Sequence, residues 1–317
     1  MMHTDELNVS AATVRALLRD QFSELAHLPL RRYESSGTVN AIFRLGESLA
    51  AKFPLRKGKP EEVASVIAKE KAAAVRIAGL SPVPVPSFVG MGRPGAGYPL
   101  AWSVQTWLPG EVATSTSLGD SETFAMDLAG LIGALRYGDT RGEAFAGSNR
   151  GGSLPVHDEW VDECLQRSRG LLDTELLRAL WQDFRRLPQP PTDVLSHTDL
   201  IPANLLTDGT HLTGVLDVGG FGPADPALDL VAGWHLLDVG PRQIFRELLG
   251  SDDVEWQRGK AWAFEQALGA VWYYLGSNHV MTEMGSWTLH RIVEDETGDG
   301  NLLAHSGSTI WKMLATS

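Results

Sequence analysis

The sequence predicts an α+β protein in two parts, and three observations predict it. At 317 residues the chain exceeds what one compact core usually holds. From Arg31 to about Leu108 short apolar runs alternate with polar residues between glycines and prolines, which is the pattern of strands, with one long helical stretch among them. Beyond Pro109-Gly110 the period becomes helical. The boundary is set so that residues 1–106 form a strand-rich N-terminal part and residues 107–317 a mainly helical C-terminal part.

Residues Ser10 to Leu25 read as an opening helix capped by Ser10, with Val14, Leu17, Leu18 and Phe22 on one face. Three strands follow, in RRYESS, in TVNAIFRLG with Val39, Ala41, Phe43 and Leu45 alternating, and in SLAAKFPL. The third strand carries Lys52 between Ala51 and Phe53, and a lysine in an apolar strand must pair or snorkel. Pro60 and Glu61 suit the first turn of a helix that ends at Gly79, with Val63, Val66, Ile67, Ala74 and Ile77 on its period. Three alternate prolines in SPVPVP force extended chain, and a strand pair follows over Ser87–Met91 and Leu100–Leu108.

SETFAMDLAGLIGALRYG is amphipathic and capped by Ser121. TRGEAFAGSNRGGSLP is an exposed loop, either a mobile connection or a carrier of phosphate-reaching arginines. In HDEWVDECLQRS the acids Asp158, Glu159, Asp162 and Glu163 stack as two pairs on one side, either a solvated face or a seat for substrate ammonium groups. Asp173 caps the helix after it. Four helices are expected after Leu230, with Trp234, Trp262, Trp272, Tyr273 and Tyr274 as core or groove-wall aromatics and Glu265 and Asp238 as further candidates for substrate amines. Past Asp295 the tail reads as loop with a short closing helix near Ile310-Trp311.

Composition narrows the class. The fractions of 43% hydrophobic and 21% charged residues are those of a globular protein. Cys164 is the single cysteine, so no disulfide within the chain and no CxxC metal pair can form, and its helical spacing from Trp160 makes it a buried structural thiol. The acidic start is unlike a secretory signal and no apolar run approaches a membrane span, so a cytoplasmic protein with no membrane partner is expected. A net charge of −12 argues against nucleic acid and suits a small cationic substrate.

The chemistry concentrates in Val194 to Leu230, VLSHTDLIPANLLTDGTHLTGVLDVGGFGPADPALDL. Asp199 is followed five positions on by Asn204 and eighteen on by Asp217, each beside a short apolar run. Phosphoryl transfer needs a carboxylate for the acceptor hydroxyl and hard oxygen ligands that hold magnesium against the nucleotide's phosphates. Asp199 fits the first role; Asn204 and Asp217 fit the second.

The segment resembles the catalytic core of the aminoglycoside phosphotransferase family, built on the protein-kinase fold. His197, Asp199 and Asn204 match its H-G-D-x-x-x-x-N loop, with Thr198 where glycine is usual; Leu216, Asp217, Val218 and Gly219 match its I-D-W/F-G segment, with Val218 for the aromatic; Asp225, Pro226, Ala227, Asp229 and Leu230 match D-P-A-x-D-L. The likeness runs from about Arg31 to Leu230. It implies a bilobal kinase-like fold, with an N-terminal antiparallel sheet plus helix and a mainly α-helical C-terminal lobe. It also implies that ATP or GTP binds through Lys52 with Glu70 as its partner, and that Ser36, Gly37 and Thr38 cover the phosphates in a turn that is otherwise a plain hairpin. Gln105 to Trp107 would lie at a purine-binding hinge, where Trp107 serves either adenine contact or packing, and all these groups would converge on one metal-bound triphosphate between the lobes. His197 would support the loop, and Asp225 and Asp229 would fix the metal-bearing segment and the following helix. The expected activity is transfer of the γ-phosphate to a hydroxyl of an aminoglycoside-like molecule, with Asp158, Asp162 and Glu265 as substrate carboxylates. A kinase of choline, homoserine, a ketosamine or another hydroxylated metabolite is the alternative, and a catalytically silent kinase-like binding protein a third.

Overall fold

The Ser10 hydroxyl accepts from the Thr13 amide and so starts α1 (Ala11–Gln21), which buries Val14, Leu17 and Leu18. The helix ends earlier than the sequence suggests, because Phe22 leaves helical backbone and a separate 3-10 turn covers Ser23–Leu25. The computed structural model describes residues 7–33, 39–147 and 149–298. The chain divides into two compact units, Met1–Gly110 with Gly214–Gly220, and Glu111–Thr213 with Phe221–Ser317. Residues 214–220, placed by sequence in the C-terminal part, thus belong to the first unit.

In the first unit β1 (Leu30–Tyr33), β2 (Asn40–Leu45), β3 (Leu49–Pro54), β4 (Phe88–Gly92) and β5 (Trp102–Thr106) form one antiparallel sheet in the order β1-β2-β3-β5-β4. Ala41, Phe43 and Leu45 face the core as their alternation requires, but Val39 is 51% exposed because pairing begins only at Asn40. Phe53 stacks on Trp102 at 4.8 Å and meets Tyr98 edge-on, and α1 closes this core. Each such ring contributes about 1.5–3 kcal/mol by leaving water. Helix α2 (Pro60–Ala78) has Pro60 in its first turn and Gly79 as its cap, and Ile67 and Ile77 are its buried residues. Ser36, Gly37 and Thr38 lie outside the described residues, as do Ile310 and Trp311.

The second unit opens with the short β6 (Glu111–Val112) and with α3 (Glu122–Arg136), which the Ser121 hydroxyl caps. Next come α4 (Asp158–Arg167) and α5 (Thr174–Phe184), the latter capped by Asp173. Strand β7 (Val194–Ser196) leads into the Asp199 loop, and β8 (Leu205–Thr207) and β9 (Leu212–Val215) form a hairpin whose turn Asp208 stabilises by accepting from the Thr210 and His211 amides. After residues 214–220, β10 (Gly222–Ala224) pairs antiparallel with β7. Helices α6 (Val231–Leu236), α7 (Val239–Leu249), α8 (Asp253–Tyr274) and α9 (His279–Thr297) complete the unit. The Asn278 side chain caps α9 by accepting from the Met281 amide.

Helix α8 is the centre of this unit and is buried on nearly all sides from Trp256 to Val271. Gly285 lets α9 approach it, since a Cβ there would stand 2.7 Å from the Ala267 carbonyl. Trp234 and Trp262 are core, as the sequence suggests, whereas Tyr273 at the end of α8 is 42% exposed. Among the described residues no helix is long and apolar enough to cross a membrane.

Candidate active site

Lys52 lies mid-sheet in β3, opposite Ile42 and Ser103, with its side chain only 13% exposed. Its Nζ stands 3.7 Å from Glu70 Oε2 on α2 and 3.6 Å from Asp217 Oδ1. An apolar strand thus delivers an ammonium group to two carboxylates within the first unit. Asp217 adopts left-handed backbone, φ 52°, and a 3-10 turn over Val218–Gly220 packs against α2 behind it. Gly219 makes the approach possible: a Cβ there would lie 2.8 Å from Glu70 Cγ. Val218 is buried in place of a larger aromatic. Trp107 donates its amide to the Ser48 carbonyl, meets Tyr33 edge-on at 4.9 Å and carries Arg44 above its ring at 5.1 Å, while Gln105 pairs in the sheet with Ala50 and Phe88.

In the second unit the loop after β7 is held from beneath by Asp229. One of its oxygens accepts from the Ser196 hydroxyl at 2.7 Å and the Thr198 amide at 3.0 Å, the other from the His197 amide at 2.8 Å. His197 is fully buried and its Nδ1 accepts from the Asp199 amide at 3.3 Å, a loop-supporting placement. Thr198 takes φ 74°, a conformation natural to the glycine it replaces. The Asp199 carboxylate is bonded on both oxygens. Oδ2 accepts from Asn204 Nδ2 at 3.2 Å; Oδ1 accepts from Gln266 Nε2 at 3.0 Å and lies 3.3 Å from Arg150 Nη2. Arg150 Nη1 in turn lies 3.5 Å from Oε2 of Glu265, whose Oε1 is 3.0 Å from His157 Nδ1.

Asp158, Asp162, Glu265 and Asp238, the acids expected to meet substrate amines, each have a partner within the protein. Asp158 is held by Arg185 and by the Trp181 indole N–H, and the Arg185 hydrogen bond chiefly keeps its carboxyl below the usual range. Asp162 pairs with Arg178, so both α4 acids join α4 to α5. Glu265 is buried against His157 and Arg150, and Asp238 pairs with Arg291 at 3.1 Å. Asp225 accepts from Arg258 Nε at 2.9 Å, Trp262 Nε1 at 2.8 Å and the Ala227 amide, which ties the chain ahead of α6 to α8. Asp229 braces the Asp199 loop. Burial pushes the Cys164 thiol up to about 12, in keeping with a structural residue.

No motif in the sequence marks Arg150, Gln266 or His235. Arg150 lies in a glycine-rich loop, where an arginine suggests a phosphate as readily as a carboxylate. A glutamine on a buried helix carries no motif, and only its contact with Asp199 reveals it.

Asn204 and Asp217 each offer oxygen, the donor that a hard divalent cation takes. Asn204 turns its amide nitrogen to Asp199, which directs its Oδ1 the other way, and the Asp217 carboxylate is 59% exposed. No group of three His, Cys, Asp or Glu that could hold a metal ion gathers among the described residues.

Solved structures share this fold. An aminoglycoside 2'-phosphotransferase-IIIa in complex with GDP superposes with a TM-score of 0.64 at 16% identity, covering 92% of this chain and 99% of that one. A macrolide 2'-phosphotransferase from Brachybacterium faecium gives 0.58 at 20% identity, covering 86% and 97%. A gentamicin complex of APH(2")-IIa gives 0.58 at 17%, covering 89% and 97%. No curated protein matches the chain by sequence. The kinase-like architecture is therefore common to all of them, with the antiparallel sheet and α2 followed by the helical region. Because the model of the phosphotransferase enzyme family also matches residues 32–263, a span that holds Lys52, Glu70, Asp199, Asn204 and Asp217, the chain belongs to that family.

Proposed function

We propose that the protein transfers the γ-phosphoryl group of ATP or GTP to a hydroxyl of a small molecule of the antibiotic class. The reading is carried by the Lys52 ammonium held at 3.6–3.7 Å from both Glu70 and Asp217, the grouping that gripping a nucleotide's phosphates beside a metal requires. Asn204 and Asp217 are the residues to hold Mg2+, which when bound neutralises charge on the phosphate oxygens. Lys52 steadies the phosphates, with Glu70 orienting it, and Gln105 and Trp107 are the candidates for the base. Asp199 receives the acceptor hydroxyl and takes its proton at the carboxylate; with a loose transition state its placement matters more than its basicity.

A second reading follows from the carboxylates. Asp158, Asp162, Asp238 and Glu265 each already face an arginine, which favours an acceptor with one amine or none over a polycation. A macrolide or a hydroxylated metabolite then fits better than an aminoglycoside. The deciding experiment is nucleotide consumption with Mg2+ against gentamicin, kanamycin, erythromycin, choline and homoserine, with the product's phosphate located by NMR. Turnover of erythromycin alone selects the second reading, turnover of the aminoglycosides the first, and turnover of choline or homoserine alone defeats the antibiotic assignment.

A further inference from the structure

Oδ1 of Asp199 is joined through Gln266 to a chain of buried groups that leads away from the acceptor site. Gln266 Nε2 donates to Asp199 Oδ1 at 3.0 Å, Gln266 Oε1 lies 3.0 Å from His235 Nε2, and His235 Nδ1 lies 2.8 Å from the Thr288 hydroxyl. His235 and Thr288 are completely buried, on α6 and α9, and Gln266 sits between them and the loop on α8.

Hydrogen-bond chemistry fixes the polarity of this chain. An ionised carboxylate only accepts, so the amide must turn its NH2 to Asp199 and its carbonyl to the imidazole. That carbonyl needs an N–H, which places the His235 proton on Nε2 and leaves Nδ1 as an acceptor. The Thr288 hydroxyl donates to the Met284 carbonyl one turn back at 2.8 Å, so its one proton is shared between that carbonyl and Nδ1 in a three-centre bond. Burial, aided by Arg150 and Arg291, drives the imidazole down to about 4, so it is neutral near pH 7.

We propose that Gln266, His235 and Thr288 are positioning residues for phosphoryl transfer, a one-way hydrogen-bond relay that fixes the rotation of the Asp199 carboxylate. The assignment rests on the kinase reading above. Asn204 holds Oδ2, and Gln266 at 3.0 Å holds Oδ1 more closely than Arg150 does at 3.3 Å, so the carboxylate cannot turn about its Cβ–Cγ bond without breaking a bond at each end. Since the acceptor hydroxyl must meet one oriented lone pair, loss of the relay lowers kcat and leaves nucleotide binding alone.

The test has an arm that needs no substrate. In 15N-labelled protein at pH 7, with the His235 signal assigned by its loss in His235→Asn, the imidazole is expected as the neutral Nε2–H tautomer. In Thr288→Val that preference is expected to weaken or invert. In turnover of gentamicin or erythromycin, Gln266→Leu is expected to lower kcat about 10–100-fold with the nucleotide KM changed by less than about twofold, the range of supporting-residue effects. Thr288→Val is expected to lose about tenfold, and Thr288→Ser to recover most of it. An Nδ1–H or charged His235, or wild-type kcat in Gln266→Leu, overturns the relay. Asp199→Asn separates the two failures: if it abolishes turnover while Gln266→Leu does not, only the relay falls, whereas full turnover in Asp199→Asn overturns the kinase mechanism itself.

Discussion

Arg150 places Nη2 3.3 Å from Oδ1 of Asp199, so the carboxylate proposed to receive the acceptor hydroxyl already faces a guanidinium. Both side chains are partly exposed, and a pair of this kind contributes only about 1 kcal/mol. Arg150→Gln keeps a donor near Glu265 while removing the charge. For a cationic acceptor such as gentamicin, KM is expected to fall about fivefold, with the nucleotide KM unchanged, because the substrate no longer competes with the arginine. Steady-state kinetics decide it; a rise in KM would assign Arg150 to acceptor recognition instead.

Gly219 and Glu70 are in contact that admits no side chain on the glycine. Gly219→Ala is expected to push Glu70 off Lys52 and weaken nucleotide binding about tenfold, comparable to other losses of a supporting partner. Titration with a fluorescent ATP or GTP analogue measures this, and the acceptor KM should stay where it was.

Thr198 is a β-branched residue held at φ 74°. Left-handed backbone costs a non-glycine residue about 1–2 kcal/mol. Thr198→Gly removes that strain, and the greater freedom of glycine in the unfolded chain offsets about 0.4–1 kcal/mol of the gain. A net stabilisation of about 0.5–1 kcal/mol is expected in urea unfolding.

His235 makes folding sensitive to acid. Its pKa falls from 6.5 to about 4 on burial, so the folded state disfavours its protonation relative to the unfolded chain. The stability it allows is therefore fully present above pH 6.5 and is lost as pH drops toward 4. The loss amounts to a few kcal/mol in order of magnitude. Urea unfolding at pH 7 and pH 5 should show a shallower pH dependence in His235→Gln than in the wild type.

How much of this could be read from the sequence depended on range. The caps at Ser10, Ser121 and Asp173 are local signals, and the helices they begin are where the spacing puts them. Strand limits are set by partners far along the chain, which is why Val39 falls outside β2 despite its alternation. The Asp199, Asn204 and Asp217 pattern stands out because those residue types sit close together in the chain. The arginines that pair with Asp158 and Asp162 lie 27 and 16 residues away, and Gln266 is 67 residues from Asp199, so nothing in the primary structure joins them. For the same reason the α4 acids could pass as vacant carboxylates. Sequence periodicity reports which face is buried but not which cation fills it.

The unit that holds Lys52 and Glu70 is not one uninterrupted stretch of polypeptide, since Gly214–Gly220 returns to it after more than a hundred intervening residues. A gene truncated after Gly110 would encode the lysine and its glutamate without Asp217 or the glycine against which Glu70 rests. Splitting the protein for fragment complementation therefore cannot be done with a single cut between the units, and an isolated N-terminal fragment should not be expected to reproduce nucleotide recognition.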